Sequence, residues 1–507
     1  MISKDDILKL QHSADGSPWA NVATVSSIDV DTLQYSADGS PWHGVEAPAS
    51  GSYTLTAATG VFSLTGQAAI LAAALQIAAG VGTFTLTGND AGLSTLNTYS
   101  LTADAGAYTL TGNASGLNRA VRITADAGAF TLTGNDAGLN RAVRVTADTG
   151  TYTLTGNAAN LNRGIRVTAD AGTYTLTGHD RTLTVSRPIA ADSGTFTLSG
   201  QNATLQKSST LTADPGTFTL TGNDVNFSQA GQLLANTGPF TLTGNDAGLL
   251  RAVRMTADAG TFTLTGNAAV INTGRTIAAD KGTFTLTGND AGLNRGLVIA
   301  ADMGTFTLTG SDAATLRSLR LTADAGTFTL TGNAANFSQA GQLLANTGPF
   351  TLTGNDAALI RSVRLTADTG TFTLTGNDVT LATGVRIAAD TATYTLSGQA
   401  ATLQKQSRLI AEAGTFTLTG YAAGFQGAEI IGVSTGTFTV TGNDATLQKA
   451  SVLTAESGAF ALTGNDNAFS RAVVIVSDSG TFVFTGNDAN LLYSEEEIFV
   501  PKIVWFY

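Results

Sequence analysis

Apolar and hydroxyl residues alternate in short bursts along this chain. Ala129-Phe130-Thr131-Leu132-Thr133 is one burst, and close copies recur from Thr83 to Thr485. A period of two belongs to a strand buried on one face, so Phe130 and Leu132 are expected inside and Thr131 and Thr133 outside. Gly134-Asn135-Asp136 follows as a turn signal, because glycine accepts positive φ and Asn or Asp bonds its own backbone. Leu139, Val143, Val145 and Ala147 then share one parity and predict a second inward row, with Arg144 and Thr146 outward. Asp148-Thr149-Gly150 turns the chain into the next copy. Each unit reads as two strands and two turns.

The unit repeats without a slip. Its aromatic stands at Tyr108, Phe130, Tyr152, Tyr174, Phe196, Phe218 and Phe240 and continues every 22 residues to Phe482, making 18 copies. Phe62 and Phe84 add two more ahead of a two-residue insertion. A period of this order marks a solenoid or an array. The expected fold is all-β: an elongated β-solenoid, or β-helix, of about twenty 22-residue repeats. At a strand spacing of about 4.8 Å such a stack would form a rod of about 95 Å. An intertwined trimeric β-fibre, several times longer, is the alternative. The Ala-rich segment 67–79 has helical propensity. In the 22-residue register, however, Leu71, Leu75, Ile77 and Ala79 fall on the columns of Leu139, Val143, Val145 and Ala147, which predicts an early rung. Near-identical blocks at 226–232 and 336–342 lie five whole units apart, as duplication of neighbour-contacting repeats would leave them.

Composition narrows the chemistry. The chain has 507 residues, 58 of them glycine, with 13% charged residues and a net charge of −12, which argues against a nucleic-acid partner. Without cysteine there are neither disulfides nor thiolate metal sites. No apolar run is long enough to insert in a membrane, and no apolar segment of the secretory kind follows Met1. His12, His43 and His179 have no evident convergence, and no nucleophile–histidine arrangement stands out, so no enzymatic activity, cofactor or metal is expected. The aromatic column reads as core. The Asn-Asp pairs at Asn89-Asp90, Asn135-Asp136, Asn245-Asp246, Asn443-Asp444 and Asn487-Asp488 read as amide ladders and Asx turns rather than calcium ligands. An acidic column (Asp104, Asp126, Asp148, Asp170, Asp192, Asp214) and basic residues at Arg119, Arg141, Arg163, Lys207, Arg251, Arg295 and Arg317 read as solvated faces. The outward Thr rows resemble those of ice-binding solenoids.

The ends depart from the array. Leu10-Gln11-His12-Ser13-Ala14-Asp15-Gly16-Ser17-Pro18-Trp19 returns as Leu33-Gln34-Tyr35-Ser36-Ala37-Asp38-Gly39-Ser40-Pro41-Trp42. This motif is similar to the Gln-Tyr-Ser-x-Asp-Gly-x-x-Trp modules near the beginning of tailed-bacteriophage fibre proteins, over residues 10–43. The resemblance implies a structural virion component, a fibre or appendage spacer or scaffold assembled in the host cytoplasm. It would be anchored to other virion proteins through Trp19 and Trp42, with a homotrimer left open. The rival reading is a bacterial cell-surface adhesin or ice-binding solenoid, outside the cell. The expected segments are an attachment region at 1–50, irregular first rungs at 51–107, the regular array at 108–492, and a tail at 493–507. The tail, bearing Trp505, is expected to cap the last rung or dock on a partner.

Overall fold

The computed structural model describes residues 75–492, except 95–98, 119–120, 141–143, the equivalent short stretches of later repeats and a few single positions. It also describes strands at 27–29, 32–33, 53–57, 61–65, 68–71 and 503–506. The chain forms two compact units, residues 1–245 and 246–507. Among the described residues the regular structure is all strand.

In the first unit the type repeat holds three strands, not two: Ala129–Thr133, Asp136–Asn140 and Arg144–Ala147. Each runs parallel to the equivalent strand of the next repeat, 22 residues on and without stagger. Phe130 lies opposite Tyr152, Leu139 opposite Leu161 and Val145 opposite Val167. First and second strands belong to one sheet and third strands to another. The second unit repeats the pattern, with Thr283–Thr287, Asp290–Asn294 and Leu297–Ala301 forming one coil. Each unit is therefore a parallel β-solenoid with one coil per 22-residue repeat. The coils before and after complete each ladder, which is the solenoid and not the intertwined fibre.

The extra strand arises because the expected second row divides: Leu139 lies on Asp136–Asn140, which starts at the last residue of the expected turn, and Val145 and Ala147 lie on Arg144–Ala147. The Asp136 N–H donates to the Asn113 carbonyl at 2.9 Å, and the Gly134 N–H to the Thr155 carbonyl at 2.9 Å. The corner's polar backbone groups are thus satisfied up and down the stack rather than within the corner itself. Ala137 points inward beside the Leu column and is 1% exposed. Its small side chain gave no apolar signal of its own.

Glycine at this corner also has a different job from the expected one. Among the described glycines only Gly178 has a positive φ, 151°. The constraint elsewhere is the neighbouring coil: a Cβ on Gly134 would sit 2.2 Å from the Gly112 carbonyl oxygen. At Gly178 the corner straightens, and Thr173–Thr184 runs as one 12-residue strand beside Thr195–Gln206.

The interior is filled by the inward positions of all three strands. Phe130, Leu132, Ala137 and Ile123 are each at most 1% exposed, and in the second unit Leu249, Ile271, Leu359 and Leu381 are fully buried. The Ala-rich segment is a rung as expected, with strands Ala68–Leu71 and Leu75–Ala79. Leu71 lies opposite Leu93, and Ile77 opposite Leu101. Ladder pairing with the neighbouring coils overrides its helical propensity. Stacking starts earlier than the expected boundary at residue 50: Ser27–Asp29 pairs with 54–56, and Leu33 lies opposite Phe62. At the other end Ile503–Phe506 pairs in parallel with Thr481–Thr485, with Trp505 opposite Phe484.

Candidate functional surfaces

The aromatic column is an internal stack. From Phe130 to Phe240 the centroids of successive rings are 4.5–4.9 Å apart and their planes differ by at most 5°. The strand spacing dictates that separation. Parallel rings in contact have planes about 3.5 Å apart, so they must be slipped past one another by roughly 3 Å, the offset geometry aromatic pairs prefer. Phe130, Tyr152, Tyr174, Phe196, Phe218 and Phe240 are all at most 1% exposed, so none presents a face to a ligand.

Tyrosines in this column choose between the stack and a hydrogen bond. Tyr108 tilts by 40–49° from its neighbours and donates its hydroxyl to the Thr102 carbonyl at 2.8 Å. In the second unit Tyr394 tilts likewise and donates to the Ala388 carbonyl at 3.0 Å. Tyr152 and Tyr174 instead stack flat on each other at 4.7 Å, and their buried hydroxyls have no partner. Burial pushes both phenols well above the ordinary tyrosine range.

Outside, repeated positions become ladders of one functional group. Thr195 Oγ1 donates to Thr173 Oγ1 at 3.3 Å, and Thr305 to Thr283 at 3.2 Å. The expected amide ladder is present where Asn157 Nδ2 donates to Asn135 Oδ1 at 3.4 Å. Thr, Gly and Asn of the corner line an open groove in the first unit that runs from Thr87 to Asn223, with His179 in one Asn position. A corresponding groove in the second unit passes Tyr421, whose ring is 64% exposed. Apart from His179 and Tyr421, both grooves are lined by the hydroxyls and amides of repeated Thr, Ser, Asn and Gln and by glycine.

The third strand carries one charged ladder on its outer face, and a second follows at the bend where the strand ends. Arg122, Arg144 and Arg166 stand opposite one another and are exposed. Among the described residues they form no ion pair. Two residues on, Thr124, Thr146 and Thr168 are half-buried, and two further on Asp126, Asp148 and Asp170 are exposed. Asp170 is held above the ordinary carboxylate range, first by partial desolvation and then by the charges of Asp148 and Asp192. In the second unit Arg364, Arg386 and Arg408 form an equivalent row. Among the described residues no three His, Asp or Glu side chains gather into a metal-ligand group.

Several residues singled out from the sequence fall outside the described residues: Trp19, Trp42, His12, His43 and the basic set Arg119, Arg141, Arg163, Lys207, Arg251, Arg295 and Arg317. The Arg122 row was missed as a ladder, although its 22-residue period is plain in the sequence once the third strand is fixed. Fold and surface together define a parallel β-solenoid repeat protein. No protein-family model, no curated protein and no solved structure matches the chain.

Proposed function

We propose that this protein is a structural scaffold rather than a catalyst: a fibre or appendage component of a tailed-phage virion, attached near its N-terminus. The observation that carries the scaffold reading is the division of labour within each coil. Inward positions are closed by rings and aliphatic groups, while outward positions repeat one uncharged or singly charged group from coil to coil. Chemistry needs unlike groups to converge; a ladder places like beside like. The phage setting rests on the duplicated Ser-Ala-Asp-Gly-Ser-Pro-Trp modules and their similarity to fibre modules. Replacing Trp19 and Trp42 with Ala should abolish incorporation into particles while the circular dichroism of the isolated chain stays strand-like. Undiminished incorporation would refute the attachment role.

The exposed Thr ladders favour a second reading, an ice-binding or adhesive surface outside the cell. Thermal hysteresis of the purified protein separates the two. The scaffold reading expects none beyond that of an ordinary soluble protein, and a hysteresis lost on replacing Thr173 and Thr195 with Val would favour the rival.

A further inference from the structure

We propose that the outer face of the third strands docks a second copy of this chain running parallel to the first, with Arg122, Arg144 and Arg166 of each copy lying against Asp126, Asp148 and Asp170 of the other. The argument starts from spacing. Within a coil Thr lies two residues beyond Arg on the strand and Asp two further on, at the bend that ends it, so the Thr row lies between the Arg and Asp rows, which are at most roughly 13 Å apart. Along the stack both rows repeat at the strand spacing of about 4.8 Å. A partner whose charges repeat at that same interval would meet all three Arg rungs, and another copy of this solenoid meets that condition by construction.

Symmetry then fixes the direction. Two identical faces pack through a two-fold axis lying in their interface. If that axis runs along the stack, the order Arg, Thr, Asp on one copy meets Asp, Thr, Arg on the other. If it runs along the strands, Arg meets Arg and Asp meets Asp. Charge therefore selects the parallel pair, in which the Thr row lies on the axis and each Thr faces its own counterpart.

Three further features fit an interface. The Arg rows form no ion pair among the described residues. Asp170 lies between the like charges of Asp148 and Asp192 in the single chain. In the second unit the column of Arg364, Arg386 and Arg408 also carries Val298 and Ile430, outward and 39% and 44% exposed, and Asp368, Asp390 and Glu412 are exposed in the matching acidic row.

The chain has no cysteine, so single-cysteine variants give a clean test. At low salt, T124C and T168C should each give a disulfide-linked homodimer on mild oxidation, and sedimentation should show the uncrosslinked dimer weakening at least about tenfold as salt rises from about 0.05 to 0.5 M. Changing Arg122, Arg144, Arg166, Arg364, Arg386 and Arg408 to Glu should leave the circular dichroism unchanged and abolish the dimer. Mixing that variant with one carrying Arg at Asp126, Asp148, Asp170, Asp368, Asp390 and Glu412 should restore it. A chain that stays monomeric at low salt, a dimer indifferent to salt, T124C that links only to T168C, or a monomer whose Arg rows instead retain polyphosphate would each overturn the proposal.

Discussion

Tyr152 and Tyr174 hold the clearest local conflict in the molecule, since their rings gain the stack while their hydroxyls lose every partner. A buried hydroxyl without a hydrogen bond costs about 1–3 kcal/mol. Tyr174→Phe is expected to raise stability by about 1 kcal/mol or more. Tyr394→Phe, which removes the hydrogen bond to the Ala388 carbonyl, should lower it by about 0.5–1.5 kcal/mol; thermal melts at neutral pH decide both. The phenols also set an alkaline limit. Their folded values are raised, so their neutral state supports stability below the unfolded value of about 10 and that support is lost as pH rises further. The double variant Y152F/Y174F should flatten this loss. At Asp170 the raised value has the same sign at lower pH: stability is fully present below about pH 4 and falls as the carboxyl ionises. Asp170→Asn should therefore raise the melting temperature at pH 7 and leave it unchanged below about pH 4. An equal gain at both values would show that the charge of the Asp row is not the cause.

At the scale of the element, the sequence was most legible where large apolar residues alternate with threonine. The first strand, its inward Phe and Leu and the aromatic column could all be read directly, because a ring every 22 residues leaves no competing register. The third strand was visible as an inward row for the same reason. The second strand was not separated from the third, because Leu139 shares the parity of Val145 and Ala147, its other inward residue Ala137 is small, and Asn135 and Asp136 carry turn propensity. Those two propensities lost to a ladder that satisfies the corner backbone from adjacent coils. The glycine column was recognised but attributed to φ, whereas close approach of the next coil is what excludes a side chain. The second unit provides a matched pair. Gly310→Ala places a Cβ 2.5 Å from the Gly288 carbonyl oxygen, and overpacking of that kind costs about 1–3 kcal/mol. At Gly292 the nearest atoms are Val270 methyls 3.8 and 3.9 Å away, so Gly292→Ala should be neutral or stabilise by up to about 1 kcal/mol. Equal melting temperatures for the two variants would remove the close-approach argument.

At the scale of the molecule, repetition turns single substitutions into columns, and this is where surface and fold become one problem. The same 22-residue offset that stacks Phe on Phe also stacks Arg on Arg and Asp on Asp, so each row that packing requires inside is matched by a row that solvent or a partner must meet outside. The site residues were less legible than the fold because outward rows differ in chemistry but not in pattern; Arg144 could be set outward, yet its membership of a ladder needed the third strand. The central claim, that each repeat is one coil stacked on the next within a single chain, is tested most directly by intramolecular cross-linking in this cysteine-free background. Thr131 lies opposite Thr153, and Thr153 opposite Thr175, on the outer face of successive first strands. The account predicts that mild oxidation closes a disulfide within one chain in T131C/T153C, one coil apart at about 4.8 Å. It predicts none in T131C/T175C, two coils apart at about 9.6 Å and beyond disulfide reach. A bond that forms only between chains in T131C/T153C, or equally well within the chain in both variants, would contradict it.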